Sequence, residues 1–260
     1  MANIAEMQKK VIVTIEYQIL EKLCDANSFS RKELYRAMLD CGLFVSEASF
    51  RYKLQKLIDS GDIISVGHNA YYVVKEDNTR YYHHNYSEQA TSIVAIVSKK
   101  YPNVKFSVFE LVQLNEFLNH QLAHNVIFVS VEKIFGDFVF DTLKETNPGR
   151  VLIYPTPDTF HQYWYSDMIV IKKLVTEAPN NRKCPWAARL EKILVDIMAD
   201  PLVINSISAS EYPNIYIDAF QKYIVNENCL FRYAKRRGVE NEILQLIKNE
   251  TKISLRTRRL

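Results

Sequence analysis

Residues 30–74 read SRKELYRAMLDCGLFVSEASFRYKLQKLIDSGDIISVGHNAYYVV, and this segment contains start and stop signals for two helices. Ser30 is a favourable N-cap, and Glu33 lies three residues later, as a capping box requires. The apolar residues that follow keep helical spacing, namely Leu34, Ala37 and Met38. Gly42 then predicts a sharp turn at the end of this helix.

The second half of the segment predicts another helix followed by a hairpin. Ser46 is suited to cap this helix, and Gly61 is suited to end it. Its apolar residues share one face: Phe50, Leu54, Leu57 and Ile58. The β-rich runs 63–66 and 71–74 flank a Gly-His-Asn turn at 67–69, which is typical of a tight hairpin.

One more helix is predicted before residue 30, because five apolar residues keep helical spacing there: Ile12, Ile15, Ile19, Leu20 and Leu23. Helix, helix, turn, helix and hairpin is the order of a winged helix-turn-helix, whose last helix enters the major groove of DNA. We therefore predict such a domain over residues 1–75, with double-stranded DNA as its partner. Modules of this kind also serve as protein–protein adaptors, so a protein partner stays an alternative.

The predicted DNA-binding residues lie opposite the apolar face of the last helix, at the start of the helix before it, and at the hairpin turn. Basic side chains position a protein on phosphates, whereas glutamine suits a bidentate contact with adenine. The set is Arg31, Lys32, Ser46, Ser49, Arg51, Tyr52, Lys53, Gln55, Lys56, His68 and Asn69.

Composition excludes several other classes of protein. The 260 residues include only six glycines, and the nearest two, Gly61 and Gly67, lie six residues apart. Glycine-rich loops that bind nucleotide phosphates need clustered glycines, so binding through such a loop is excluded. Apolar and charged fractions of 48% and 24% are those of an ordinary globular protein and exclude a disordered chain.

The cysteines and the N-terminus indicate where the protein acts. The four cysteines include no C-x-x-C pair, so we expect no zinc site, and we expect no other metal or cofactor. The N-terminal residues lack the apolar core of a secretory signal, and no apolar run reaches the length of a membrane span. We expect a cytoplasmic protein with no membrane partner.

Residues 87–260 are predicted to form a mixed α/β domain, joined to the first domain by a linker at 76–86. The expected fold class is α/β (α+β), with an N-terminal winged helix-turn-helix and a helical C-terminal part. Strands interleaved with helices predict a sheet covered by helices. The strands are expected at 104–106, 126–131, 151–154 and 168–171.

Two helix starts are expected in this domain, and the C-terminal end of the chain is basic. A capping box of Ser107 and Glu110 is expected to open one helix, and Pro185 is expected to start another. Residues 228–260 hold nine Lys or Arg against three Asp or Glu. Such an excess suits contact with a polyanion but is equally typical of a solvated surface.

No catalytic constellation is complete. His120 and His124 have the spacing of a zinc pair, but no glutamate follows the first histidine as in H-E-x-x-H. Asp158 and Lys172 match part of a Pro-Asp…(Asp/Glu)-x-Lys nuclease pattern, but Val170 stands where the second carboxylate belongs. We therefore expect a non-catalytic protein. A nucleic-acid-processing enzyme with a degenerate nuclease-like domain stays the alternative.

Glu191, Lys192 and Asp196 are charged residues on the helix predicted after Pro185. Glu191 and Asp196 project about 140° apart on a helix of 3.6 residues per turn, so they cannot bind one metal ion together. These residues either dock the helix on a neighbouring domain or a partner, or form ordinary surface charge beside an apolar stripe.

Much of the chain resembles the AbiEi-type antitoxins of bacterial abortive-infection systems, which form type IV toxin–antitoxin pairs, and related winged-helix proteins of unknown function. The resemblance covers about residues 15–225. Besides the N-terminal helices and hairpin, it is carried by FELVQLNEFLNHQ (109–121), NVIFV (125–129), VLIYP (151–155) and LEKILVDI (190–197).

This resemblance implies a function in two parts. The winged helix-turn-helix would repress the protein's own operon at its promoter, and the C-terminal domain would counter a nucleotidyltransferase toxin encoded by the adjacent gene. It implies no catalytic residue in this chain. The family has a rather basic C-terminal domain, whereas here only residues 228–260 are basic.

Overall fold

The structure is a computed structural model that describes residues 15–24, 28–59, 62–74, 81–179, 184–255 and 257. Its mixed α/β class, with two sheets and a helical C-terminal part, confirms the predicted class. The chain divides into two compact units. The first comprises Met1–Arg80, Asn226–Asn228 and Ser254–Leu260, and the second comprises Tyr81–Val225 and Cys229–Ile253.

The described residues of the first unit form three helices and an antiparallel hairpin. They are α1 (Ile15–Leu23), α2 (Arg31–Asp40), α3 (Glu47–Asp59), β1 (Ile63–Gly67) and β2 (Ala70–Val73). All five contribute buried apolar side chains to one core. Their order is the one expected from the sequence, and the interpretation of this unit as a winged helix-turn-helix stays a prediction.

Local sequence signals explain where α2 and α3 begin. The Ser30 hydroxyl accepts a hydrogen bond from the N–H of Glu33 at 3.2 Å, and the Glu33 carboxylate accepts one from the N–H of Ser30 at 2.7 Å. The Ser46 hydroxyl accepts one from the N–H of Ser49 at 3.3 Å. Gly42, after α2, has a φ of 78°, which favours glycine. The capping box, the second cap and the glycine turn are confirmed.

Two contacts hold the hairpin against the rest of the first unit. The N–H groups of Phe29 and Tyr71 each donate to the carbonyl of the other residue, at 2.7 and 2.8 Å. Asn69, at the hairpin turn, has a φ of 54°, and its side-chain oxygen accepts a hydrogen bond from the N–H of Arg31 at 3.0 Å. The turn is therefore fixed at the N-terminus of α2.

Residues near the end of the chain also belong to the first unit. The N–H and the hydroxyl of Thr257 donate to the Glu227 carboxylate at 2.9 and 2.6 Å. A β-carbon on Gly67 would overlap Cγ2 of Thr257. Glycine at this position of the hairpin therefore permits the close approach of the C-terminal segment.

The second unit is built on a four-stranded sheet. Its strands are β3 (Phe106–Glu110), β4 (Val126–Val131), β5 (Val151–Ile153) and β6 (Met168–Lys173). The other α-helices in the part of the chain that the structure describes are α4 (Glu88–Lys100), α5 (Gly136–Thr146), α6 (Pro157–Gln162), α7 (Leu190–Ala199), α8 (Pro201–Ile204), α9 (Tyr212–Lys222), α10 (Glu227–Arg237) and α11 (Glu240–Glu250).

The strand order is β3-β4-β6-β5, with β4, β6 and β5 parallel and β3 antiparallel to β4. Ile127, Val129 and Val131 pack in one core with α4 and α5. On the other face, the Phe128 ring lies 6.3 Å from the Phe160 ring of α6. Because both faces of β4 are covered, it forms a continuous apolar run rather than an alternating one.

The helix expected at Ser107 and Glu110 is wrong. Both residues lie in β3, which pairs with β4 over its full length. The Glu110 carboxylate accepts hydrogen bonds from the N–H of Ser87 at 2.9 Å and from Nδ2 of Asn125 at 2.8 Å. Strand pairing therefore overrides the local capping signal.

The helix expected from Pro185 begins at Leu190 instead. The N–H of Val108 donates to the carbonyl of Trp186 at 2.7 Å. This hydrogen bond belongs to a parallel bridge between Val108 and Ala187, so the segment before α7 pairs with β3 instead of continuing the helix. Helix α10 was not predicted from the sequence.

His120 and His124 do not share a helix, since residues 117–125 contain none. His120 Nδ1 lies 2.9 Å from the Glu211 carboxylate, and the His124 ring contacts the Trp164 ring at 5.1 Å.

None of the helices in the described part of the chain is long and apolar enough to cross a membrane. Outside the described residues lie Ile12, Gly61, residue 75 at the end of the predicted N-terminal domain, 76–80 of the predicted linker, and 256 and 258–260 of the basic end.

Candidate functional site

Most of the predicted DNA-binding residues lie on the exposed face of α3 or beside it. The opposite face of α3, with Phe50, Leu54 and Leu57, is buried in the core of the first unit. Lys53 is half-buried, which places it at the border between the two faces. All the other predicted residues are exposed: Arg31, Lys32, Ser46, Ser49, Arg51, Tyr52, Gln55, Lys56, His68 and Asn69.

Helices α2 and α3 bring three of the predicted basic residues together. Arg31, Lys32 and Arg51 line one cavity of about 370 Å³. Arg51 forms an ion pair with Glu47, and the two side chains are 66% and 78% exposed. An exposed pair of this kind contributes about 0–1 kcal/mol, so Arg51 can exchange this partner for a phosphate at little cost.

Some predicted residues already have hydrogen-bond partners in the protein. Nε2 of Gln55 donates to Oδ1 of Asp59 at 2.8 Å, and this exposed contact would have to break for Gln55 to bind a base. The side-chain oxygen of Asn69 is used in the bond to Arg31. Asn69 therefore has a structural role in addition to the predicted one.

Two large side chains beside these basic residues are exposed. Tyr52 on α3 is 72% exposed, and Phe44, in the turn between α2 and α3, is 85% exposed. Phe44 is not among the residues predicted from the sequence, which indicated only a turn at this position. Aromatic rings at such positions can stack on bases or contact a sugar.

The second unit buries a group of charged side chains around the end of β6, which we call the ionic cluster: Lys172, Lys192, Asp196, Asp200, Tyr233 and Arg237. Lys172 forms an ion pair with Asp200, with side chains 14% and 11% exposed. Nζ of Lys192 lies 2.5 Å from Oδ2 of Asp196, one turn further along α7. The Lys172 ammonium also lies 4.1 Å from the centre of the Phe128 ring.

Helix α10 completes the ionic cluster. The Tyr233 hydroxyl donates to Oδ1 of Asp196 at 3.0 Å, and Nε of Arg237 lies 3.6 Å from the same oxygen. Burial raises the pKa of Asp196, but the positive charges around it outweigh burial and hold this pKa below its usual value. Burial lowers the pKa of Lys172, and nearby carboxylates offset only part of that effect.

The interpretation of Glu191, Lys192 and Asp196 as surface charge is wrong. Their exposed fractions are 2%, 4% and 5%. Arg189 forms an ion pair with Glu191 at 2.8 Å. Helix α7 is buried on nearly every side, so its charged residues serve contacts within the second unit.

The partial nuclease pattern does not assemble. Asp158 is exposed on α6, whereas Lys172 pairs with Asp200. Among the residues that the structure describes, no group of three or more His, Cys, Asp and Glu side chains could hold a metal ion.

Comparisons with known proteins identify a family but no activity. No curated protein matches the chain significantly. Among solved structures, the crystal structure of the RV2827C protein from Mycobacterium tuberculosis is 11% identical and has a TM-score of 0.24, with 94% of this chain and 84% of that chain covered. That similarity is too low to support a conclusion. Residues 49–253 match the family described as "Family of unknown function (DUF6577)". Since this match covers most of the chain, the protein belongs to the DUF6577 family.

Proposed function

We propose that the first unit binds double-stranded DNA through α3, and that the protein acts as a transcriptional regulator. The observation that supports this most strongly is the division of α3 into two faces. One face is buried in the core, and the other exposes side chains that suit DNA, among them Arg51, Tyr52 and Gln55. The major groove admits an α-helix, and its base edges are read by such side chains.

Basic residues near α3 supply contacts to the DNA backbone in this proposal. Arg31, Lys32 and Arg51 line one cavity, and the side chains of Arg31 and Lys32 are exposed at the N-terminus of α2. Neutralisation of phosphates by Arg and Lys supplies most sequence-independent affinity for DNA. Gln55 would add sequence preference after exchanging Asp59 for an adenine.

The hairpin turn extends this surface. His68 and Asn69 are exposed at the turn, and the bond from the N–H of Arg31 to Asn69 holds the turn beside the start of α2. A phosphate bound at the start of α2 would therefore lie within reach of the hairpin.

The resemblance to AbiEi-type antitoxins supports a narrower proposal. The DNA would be the protein's own promoter, and the protein would be the non-catalytic antitoxin of a nucleotidyltransferase toxin encoded by the adjacent gene, in the cytoplasm. Expression of the adjacent gene with and without this protein tests the proposal. Growth arrest that this protein relieves is expected, and growth arrest that it leaves unchanged contradicts the antitoxin role.

A mobility-shift assay tests DNA binding itself. The DNA is the region upstream of the protein's own gene, with a shuffled duplex of equal length as competitor. We expect a complex that prefers the upstream DNA and that Arg51→Ala with Lys56→Ala weakens. The matched control is Lys99→Ala with Lys144→Ala, which removes the same charge from exposed positions of the second unit.

Each outcome of this assay decides between functions. Equal weakening by both double variants would mean that binding depends on net charge rather than on α3. If no DNA complex forms, and a protein partner is captured that stays bound after nuclease treatment, the first unit is a protein–protein adaptor. Mg²⁺-dependent cleavage that disappears in Asp158→Ala would support the alternative of a nucleic-acid-processing enzyme.

A further inference from the structure

The ionic cluster surrounds a cavity of about 180 Å³ in the second unit. Ser130 near the end of β4 and both Lys172 and Lys173 at the end of β6 line it, while α7 and α10 contribute Asp196 and Arg237. Strands β4 and β6 are parallel, and the cavity lies at their carboxyl ends. In open α/β sheets this is the place where ligands bind.

The carboxylates of the cluster are already engaged. Asp200 pairs with Lys172 through one oxygen, and its other oxygen accepts a hydrogen bond from the N–H of Leu202 at 3.0 Å. Asp196 uses its two oxygens for Lys192 and Tyr233. Each carboxylate thus neutralises one lysine within the cavity wall.

Among the described residues, neither Arg237 nor Lys173 in the cavity wall forms a hydrogen-bonded pair with a carboxylate. Nε of Arg237 is buried and has no hydrogen-bond partner among the described residues. Its nearest carboxylate oxygen is 3.6 Å away, which is beyond a hydrogen bond. Lys173 is exposed and lies 5.1 Å from the centre of the Tyr154 ring. A buried donor without an acceptor is costly, and an anion in the cavity would supply the acceptor.

The cavity has the size of a small oxyanion. A water molecule takes up about 30 Å³ in the liquid, so 180 Å³ is space for several waters or for one tetrahedral ion. The guanidinium group presents a planar set of donors that matches the oxygens of phosphate. The Arg237 side chain is 18% exposed, so the cavity can be reached from solvent.

We infer that this cavity binds a phosphoryl group, either as free phosphate or as the phosphate of a small monoester, with Arg237 as its main ligand. The exposed Lys173, whose ammonium would leave the Tyr154 ring, is a second ligand. The site lies in the second unit and uses none of the residues proposed to bind DNA. Loss of DNA binding by an α3 variant and loss of phosphate binding by a cavity variant are therefore separate results.

Calorimetric titration of the full chain with inorganic phosphate in a low-salt buffer tests this site. We expect saturable binding that Arg237→Gln weakens by about 10-fold or more, because a hydrogen bond between charged groups is lost. Lys173→Gln, at an exposed position, should weaken binding by about 2- to 5-fold. Adenosine monophosphate in place of phosphate separates the two sources: binding of both identifies a monoester site, and binding of phosphate alone identifies a site for the free ion.

Arg236→Gln is the matched control for charge. It removes one positive charge from the neighbouring position of α10, where Nε of Arg236 donates to the Thr176 hydroxyl at 2.9 Å, outside the cavity. We expect phosphate affinity to change less than about 2-fold in this variant. Absence of saturable binding at millimolar phosphate, or equal weakening by Arg236→Gln and Arg237→Gln, would overturn the inference. If Arg237→Gln does not fold, a comparison of the phosphate affinities of Lys173→Gln and Arg236→Gln still tests the inference.

Discussion

Substitution of Asp196 by leucine is expected to destabilise the second unit strongly. The Asp196 carboxylate is buried and accepts hydrogen bonds from Lys192 at 2.5 Å and from Tyr233 at 3.0 Å. Asp196→Leu leaves the Lys192 ammonium, whose side chain is only 6% exposed, without its partner. Removing one member of a buried ion pair costs about 3–5 kcal/mol, a large fraction of the stability of a typical domain.

Urea unfolding followed by tryptophan fluorescence measures this cost. The chain has two tryptophans, Trp164 and Trp186, and both lie in the second unit, so the signal reports on that unit. With an m-value of about 2 kcal/mol per M, the expected loss lowers the midpoint by about 1.5–2.5 M. Lys192→Met added to Asp196→Leu should restore most of the stability, because an apolar pair of similar size often replaces a buried ion pair without loss.

The unfolding free energies of the single and the double variant also show which results would contradict this prediction. Tyr233 would still lack its acceptor, which costs about 1 kcal/mol, so full recovery is not required. A single variant that loses less than about 1 kcal/mol, or a double variant no more stable than Asp196→Leu, would show that the Lys192–Asp196 pair is not a closely coupled buried pair.

Three further results are expected from other parts of the protein. Ser30→Ala removes the cap of α2 and should lower the free energy of thermal unfolding of the first unit by about 1 kcal/mol. Ser92→Ala, at an exposed position of α4, should have little effect on the free energy of unfolding. Gly136→Ala would place a β-carbon 2.7 Å from Cζ of Tyr154 and should cost about 1–3 kcal/mol in urea unfolding; Tyr154→Phe should restore part of it. Because the folded-state pKa of Asp196 is lowered, its contribution to stability is present above about pH 4 and is lost as the pH falls further. Asp196→Asn should therefore flatten the acid limb of the pH–stability profile, and an unchanged profile would contradict this assignment.

Elements with strong local signals could be predicted from the sequence. The Ser30–Glu33 capping box, Gly42 and the apolar spacing of α3 each act within a few residues, so their outcome does not depend on the rest of the fold. Strand β4 was predicted with its observed bounds, because a run of buried β-branched residues and phenylalanine leaves few alternatives.

Elements that depend on distant contacts could not be predicted. Ser107 and Glu110 have the sequence of a helix start, yet pairing with β4 makes them part of a strand. A one-dimensional pattern cannot show which partner strand is present, so the local signal was misleading.

The ionic cluster could not be predicted either, because its residues are far apart in the sequence. Lys172 and Asp200 are 28 residues apart, and Tyr233 reaches Asp196 across 37 residues. In the sequence, Lys172 and Asp196 stand out for other reasons, and no pattern marks Asp200, Tyr233 or Arg237. Charged residues on an apolar helix such as α7 are the one feature that could have indicated a buried cluster, because burial of all faces forces such charges to pair.

The salt dependence of DNA binding tests the central claim, that α3 contacts the DNA backbone. The measurement is the slope of log affinity against log salt concentration for the upstream DNA, for the native protein, for Arg51→Ala with Lys56→Ala, and for the Lys99→Ala, Lys144→Ala control. Each lost phosphate contact reduces the slope by about 0.9. We expect the slope to fall by about 1.8 for the α3 variant and to stay unchanged for the control. Equal slopes for all three proteins would contradict it.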